Sequence, residues 1–288
     1  MQRLILVFLL TLTLGAGWGQ DLLLPLKPDS LRFAVIGDSG TGGDGQRQVG
    51  ERMAEYRARF PFEMVLMLGD NIYGRKSARD YFDKFERPYK QLLDQKVKFF
   101  AALGNHDTAD QRFYKLFNMN GERYYSWKGG QGSVRFIALD SSYMDPPQIE
   151  WLGRELSGAR ENWKICFFHH PLYSSGGRHG SDFELRRVLE PIFLKFGVNV
   201  VFAGHDHFYE RMNPQKGIHY FVSGAAGKLR RGNIRTSEIT AKGFDREQHF
   251  MLVEIAGDQL YFQAISRSGK TVDSGVIVRR SNLSSAPN

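Results

Sequence analysis

Five short motifs, each directly after an apolar run, hold nearly every metal-capable side chain of the sequence: Gly37-Asp38-Ser39-Gly40, Gly69-Asp70-Asn71-Ile72-Tyr73, Gly104-Asn105-His106-Asp107, His169-His170-Pro171 and Gly204-His205-Asp206-His207. Of eight histidines, six (His106, His169, His170, His179, His205 and His207) lie in or beside these motifs. Such residues, distant in sequence, form one site only if five strands end on the same side of the molecule. The runs Leu31–Ile36, Glu63–Leu68, Lys98–Leu103, Trp163–Phe168 and Val198–Ala203 read as those strands, being short, apolar and rich in β-branched or aromatic residues. Ligands in layered α/β proteins gather beyond the carboxyl ends of strands, so an α/β fold is predicted.

The donor types narrow the chemistry. Together they suffice for two adjacent cations, and Asp70 is the natural bridge, because one carboxylate can be shared by ions roughly 3.5–4 Å apart. Mixed imidazole and carboxylate donors suit iron, zinc or manganese better than calcium. Tyr73, three residues after Asp70, adds a phenolate donor that favours a hard trivalent ion such as Fe(III). Met alone, the same tyrosine would be read as packing beside a strand end.

In this order the motifs resemble the purple acid phosphatases of the calcineurin-like metallophosphoesterase superfamily, especially the small, tartrate-resistant type, whose pattern runs D-x-G, G-D-x-x-Y, G-N-H-[DE], V-x-x-H, G-H-x-H. The match covers about residues 32 to 207. Its one departure is Cys166 where valine is usual, a change expected to touch packing and not ligation. The wider superfamily opens with D-x-H. Here that histidine is replaced by Gly40, and Tyr73 supplies the missing donor.

Carried over by position, the resemblance implies that Asp38, Asp70, Tyr73 and His207 hold Fe(III), while Asp70, Asn105, His169 and His205 hold a divalent Fe, Zn or Mn ion. His169 is chosen over His170 on the family's H-x-P spacing. His106 is similar to the family's outer histidine, which contacts phosphate and protonates the leaving group. His179, in Arg178-His179-Gly180, is similar to a second substrate histidine, although its spacing from His169 differs slightly. The resemblance also implies two packed mixed sheets flanked by helices, a four-layer sandwich.

A ferric and a divalent ion bring five positive charges, of which two carboxylates, a phenolate and a hydroxide remove four, so the centre attracts phosphate. The reading is therefore an acid phosphatase that hydrolyses small phosphate monoesters through a metal-bound hydroxide available in acid. The alternatives are a two-metal phosphodiesterase or nucleotidase, against which the missing D-x-H counts, and a noncatalytic secreted binding protein, against which the intact ligand set counts.

Helical spacing marks Gln46–Arg59, Arg79–Asp94, Gln148–Leu156 and Asp182–Phe196, and further strands are predicted at Ile218–Val222, Phe250–Ile255, Leu260–Ile265 and Val272–Val278. The small-residue run Ser223–Gly227 is read as an ordinary turn in preference to a backbone that passes close to the metal site, and the charged stretches Arg79–Lys98 and Lys228–Arg235 as solvated faces. Met1-Gln2-Arg3 followed by the apolar Leu4–Leu14 and small residues to Gly19 reads as a secretory signal peptide over residues 1–19, so a secreted or periplasmic location is expected, with no membrane contact after cleavage. One catalytic domain is expected over residues 30–281. The lone Cys166 excludes an intramolecular disulfide, which fits a bacterial exported protein better than an animal one. The formal charge of +8 suits anionic substrates, yet no basic stretch is interleaved with aromatics in the manner of nucleic-acid binding. A monomer without nucleic-acid partners is expected.

Overall fold

Strands whose every residue is apolar need cover on both faces, and the architecture supplies it. The computed structural model describes residues 21–235 and 237–279. The elements run β1 (Leu31–Ile36), α1 (Asp44–Arg57), β2 (Met64–Met67), α2 (Ala78–Tyr81), α3 (Lys90–Asp94), β3 (Lys98–Ala101), β4 (Tyr125–Gly129), β5 (Val134–Ala138), α4 (Pro146–Gly158), β6 (Trp163–Phe168), α5 (Phe183–Phe196), β7 (Val200–Ala203), β8 (Tyr209–Met212), β9 (His219–Ser223), β10 (Thr240–Phe244), β11 (His249–Ala256), β12 (Gln259–Ser266) and β13 (Thr271–Val278). Among the described residues they form a six-stranded sheet, β13-β12-β11-β1-β2-β3, and a seven-stranded sheet, β10-β8-β9-β7-β6-β5-β4.

Each sheet contains a parallel block, β1-β2-β3 in the first and β5-β6-β7-β9 in the second. Antiparallel strands flank both blocks. The two sheets pack face to face through aromatic rings: Phe33 of β1 meets Phe136 of β5 edge-on at 5.3 Å and Phe202 of β7 at 6.4 Å, while Phe221 of β9 meets Phe262 of β12 at 5.1 Å. On the outer side of the second sheet, Ile137, Cys166 and Phe168 pack with Leu152 and Leu156 of α4 and Leu189 and Phe193 of α5. Val49, Met53 and Tyr56 of α1 cover the first sheet. The result is the predicted helix–sheet–sheet–helix sandwich. Cys166 is buried beneath the helix layer, and burial pushes its thiol well above the ordinary range, so it is an inert packing residue.

Helix boundaries follow local chemistry. Asp182 caps α5 by accepting from the Leu185 N–H at 2.9 Å, and Gly197 closes it in the left-handed conformation. Asp145 caps α4 with Pro146 and Pro147 in its first turn. The single helix expected over Arg79–Asp94 is instead broken into α2, a wider π-type turn at Phe82–Glu86, and α3. Pro88 explains the break, since it lacks the N–H a continuing helix needs. The predicted signal segment, residues 1–19, lies outside the described residues. No described helix is long and apolar enough to cross a membrane.

Candidate metal centre

Every strand of the two parallel blocks delivers a loop to the same edge of the sandwich. Asp38 follows β1, Asp70 follows β2, Asn105 and His106 follow β3, His169 follows β6, and His205 and His207 follow β7. Three of these residues, Asp38, Asp70 and His205, have φ of +53°, +52° and +69°, a left-handed conformation that L residues seldom adopt. The turn it makes folds each side chain back over the strand ends. Glycines keep the space open: a Cβ on Gly224 would lie 2.8 Å from Asp38 Oδ2, and one on Gly69 2.7 Å from His169 Nδ1.

Two donor clusters result. In the first, Tyr73 Oη donates to Asp38 Oδ1 at 3.1 Å, and His207 Nε2 lies 3.3 Å from that oxygen and 3.4 Å from the phenol. Asp70 offers a carboxylate oxygen within 4.8 Å of donor atoms of Asp38 and His207. In the second cluster, His169 Nε2 lies 3.0 Å from Asn105 Oδ1, 3.1 Å from His205 Nδ1 and 3.5 Å from Asp70 Oδ1. Asp70 thus belongs to both.

These residues fit cations better than they fit one another. His169 Nδ1 donates to the Leu68 carbonyl at 2.9 Å, which leaves a lone pair on Nε2 facing the lone pairs of Asn105 Oδ1. No donor stands between them. Burial, then the charge of Asp70, pushes the Asp38 carboxyl well above its ordinary range; burial, then Asp38, does the same to the Tyr73 phenol. In the opposite direction, burial holds His169 far below its usual value, His205 at about 2 and His207 at about 4. Buried acids that resist ionisation beside bases that stay neutral are relieved together by positive ions, and carboxylate, phenol and imidazole are the donors of borderline or hard transition metals.

Neighbouring residues complete the surroundings. His106 is exposed, with its ring 5.0 Å from that of Tyr73, and its backbone N–H donates to Asp70 Oδ1 at 2.9 Å. His179 is exposed, with its ring 4.2 Å from that of His205 and tilted 46° to it. His170, set aside in favour of His169 by spacing, also reaches the site: its ring lies 4.5 Å from His205, and its Nδ1 is held 2.9 Å from Ser141 Oγ. Ser141 follows β5 and escaped sequence reasoning, as did the use of Asp107. Asp107 accepts from the N–H groups of Gly104, Asn71 and Ile72 and from Gln111 Nε2, tying two motifs together; burial, then Asp70, pushes it up to about 6.

Two expectations are corrected. Ser223–Gly227 is no ordinary turn: it passes directly behind the site, with Ala226 N donating to Gly37 O and Lys228 N to Asp38 O. Nor is Lys228–Arg235 simply a solvated face, because the Lys228 ammonium lies over the Tyr73 ring, 4.8 Å from its centroid, and the Arg230 N–H donates to the His207 carbonyl at 3.0 Å. The run of small residues was the available signal for the first. For the second, sequence does not tell which side of a loop meets a site.

The profile of calcineurin-like phosphoesterases matches residues 31–209, the span that carries all five motifs. The chain belongs to this family. Among its relatives, this calcineurin-like phosphoesterase is similar to human tartrate-resistant acid phosphatase type 5, 26% identical over 314 residues that cover 91% of this chain and 96% of that one. Purple acid phosphatase 17 of Arabidopsis thaliana is also 26% identical, over 84% of this chain and 82% of that protein. In structure it resembles the purple acid phosphatase PPD1 of yellow lupin, with a TM-score of 0.72 and 19% identity over 87% of this chain and 54% of that chain. It equally resembles GAP50, described as the anchor in the inner membrane complex of Plasmodium, with a TM-score of 0.77 and 18% identity over 88% and 90% of the two chains. The fold therefore serves an anchor as well as a phosphatase, and the donor set must carry the functional argument.

Proposed function

We propose that this phosphoesterase is a binuclear acid phosphatase of the purple type, acting on small phosphate monoesters. Asp38, Asp70, Tyr73 and His207 would hold a ferric ion, and Asp70, Asn105, His169 and His205 a divalent one. A relative matching 34% of this chain at 39% identity, purple acid phosphatase 12 of Arabidopsis thaliana, is named for an Fe(3+)-Zn(2+) pair. Bound there, the two ions supply an acidified water and screen the charge that gathers on phosphoryl oxygens.

The observation that carries the reading is the position of Tyr73. Its oxygen stands between Asp38 and His207, where a donor from position 40 is excluded because a Cβ on Gly40 would overlap the Asn71 carbonyl. The surrounding residues divide the remaining work. His169 is held as a neutral donor by Leu68, His106 stands exposed next to Tyr73 where it can give a proton to a departing alkoxide, and His179 lines the opposite rim beside His205. The proposal includes export, with residues 1–19 as the signal segment, and a single catalytic domain over residues 30–281.

Iron-loaded, oxidised protein should show a broad visible band from phenolate-to-iron charge transfer, and Tyr73→Phe should abolish it. The wild type should also turn over p-nitrophenyl phosphate well ahead of the bis(p-nitrophenyl) diester. An active, iron-loaded, oxidised protein without the band would remove Tyr73 from the metal, and preference for the diester would make the chain a phosphodiesterase.

A further inference from the structure

Three cationic side chains beside the metal centre have no role in the reading above. Lys228 and Arg230 lie on the segment that leaves β9, and its backbone is fastened to the first donor cluster: Lys228 N donates to Asp38 O at 2.9 Å and Arg230 N to His207 O at 3.0 Å. Opposite them runs the loop that carries Arg178 and His179. It is sewn to the same segment, with Gly177 N donating to Asn233 O at 2.7 Å, Arg235 N to Ser175 O at 2.9 Å, and Gly176 bridging Ile234. Arg178 is thereby brought close enough to Arg230 for their charges to oppose each other, and burial, ahead of that repulsion, pulls the Arg230 guanidinium below its ordinary value.

Like charges gathered at a site edge cost free energy unless an anion joins them. The carboxylates whose charge reaches Arg230 are Asp206 and Asp38. Neither hydrogen-bonds Arg230 Nη1: Asp206 accepts through Oδ2 from Ser174 Oγ and Gly180 N while its Oδ1 is without a partner among the described residues, and Asp38 accepts from Tyr73 and the His205 N–H. Arg230 Nη1 is buried without any hydrogen-bond partner among the described residues, the state of a guanidinium built to receive a ligand oxygen. The Lys228 ammonium is displaced over the ring face of Tyr73, 4.8 Å from its centroid. That displacement suits a second anionic group better than the phosphoryl group at the metals.

We propose that Lys228, Arg230 and Arg178 form an anion subsite beside the metal centre, which receives the second phosphate of a small bisphosphorylated substrate. This rests on the metal-centre reading of the neighbouring residues and narrows its substrate class from monoesters in general to those that carry a further phosphate within a few bonds.

Isothermal titration of the metal-loaded full chain with propylphosphonate and with propane-1,3-diylbisphosphonate tests it without turnover, because neither ligand can be hydrolysed. The bisphosphonate should bind at least about tenfold tighter, the factor that one hydrogen bond between charged groups supplies, and the advantage should shrink with added salt. Arg230→Gln combined with Lys228→Gln should bring the ratio of the two affinities to within about twofold, the scatter of context-dependent surface effects. Arg178→Gln, at an exposed position where folding is not at stake, should lower it part of the way. Equal affinities in the wild type, a ratio that survives in all the variants, or an advantage accompanied by loss of metal would each overturn the proposal. A loaded protein inactive on p-nitrophenyl phosphate would instead remove the acid phosphatase reading, with the two affinities still deciding for or against the subsite.

Discussion

His249 is one of the buried groups that limit how much acid this protein withstands. It opens β11 beneath the Ser223–Gly227 run, fully buried, with its Nε2 3.0 Å from Ser223 Oγ, its ring edge-on to Tyr209 at 5.4 Å, and its Nδ1 without a partner among the described residues. Burial lowers its pKa to about 3, against an ordinary value of 6.5. Between those values the unfolded chain binds a proton that the folded chain refuses, so the stability is complete above pH 6.5 and is lost as the pH falls toward 3. At about 1.36 kcal/mol per unit, the loss is ~2 kcal/mol at pH 5 and ~3.4 kcal/mol at pH 4. Against a total of about 5–15 kcal/mol this is a large share. His249→Gln keeps a partner for Ser223 and removes the titration. The variant should be less stable by about 1 kcal/mol at pH 7.5, the usual cost of a repacked core site, and more stable than the wild type at pH 4. Urea unfolding of both proteins at equal metal loading, from pH 7.5 to 4, measures this, because proton uptake by the metal ligands is common to both and cancels in the difference. Parallel stability curves over that range would show that His249 is not held neutral by its burial.

Asp70→Ala should lose both metals in elemental analysis, since Asp70 alone reaches the two donor clusters; full metal content would disprove the bridge. His106→Ala should keep its metals and lose about 10²–10⁴-fold in turnover, the range of general acid–base groups, whereas metal loss would make His106 a ligand.

The strands that carry the site were legible for a physical reason. β1 and β6 fall on the predicted residues, and β2, β3 and β7 within the predicted runs, because strands covered on both faces are written as mostly apolar stretches, interrupted here only by Arg32, Lys98 and Lys164. Two strands without that pattern, β8 and β10, were missed, although the alternating and mostly exposed β13 was legible. β10 is an edge strand of mostly exposed residues, and β8 contains the buried Glu210, which accepts from the Ser175 N–H at 2.9 Å and from the Thr240 hydroxyl. β4 and β5 form a hairpin whose Trp127 stacks on Phe100 at 4.2 Å and Phe136 at 4.9 Å; the apolar run of β5 was a signal that went unused. The motif residues assemble as their order suggested, while Ser141, Asp107 and His249 act through partners far away in sequence. The charges of Lys228–Arg235 misled because composition records that a loop is polar and not what it faces.

The strained residues of the site explain why it forms at the seam of two sheets. A left-handed residue costs roughly 1–2 kcal/mol, and Asp38, Asp70 and His205 each adopt it beyond a parallel strand. The conformations persist because the loops hold one another. Asp38 N donates to Gly69 O, Gly40 N to Asp70 O, and Tyr73 N to Gly40 O within the first sheet, and His205 N from the second sheet donates to Asp38 Oδ2 at 2.8 Å. The last bond crosses between sheets, so any slide of one sheet past the other separates Asp38 from His205 and opens both donor clusters together. The same locking closes position 40. With Gly40 pinned between Asp70 and Tyr73 and the Asn71 carbonyl where its Cβ would stand, a side chain there would push apart the loops that carry Asp38 and Asp70. A donor for the first cluster must then come from another residue of the same interlocked pair of loops, and Tyr73, whose backbone is already bonded to Gly40, reaches it.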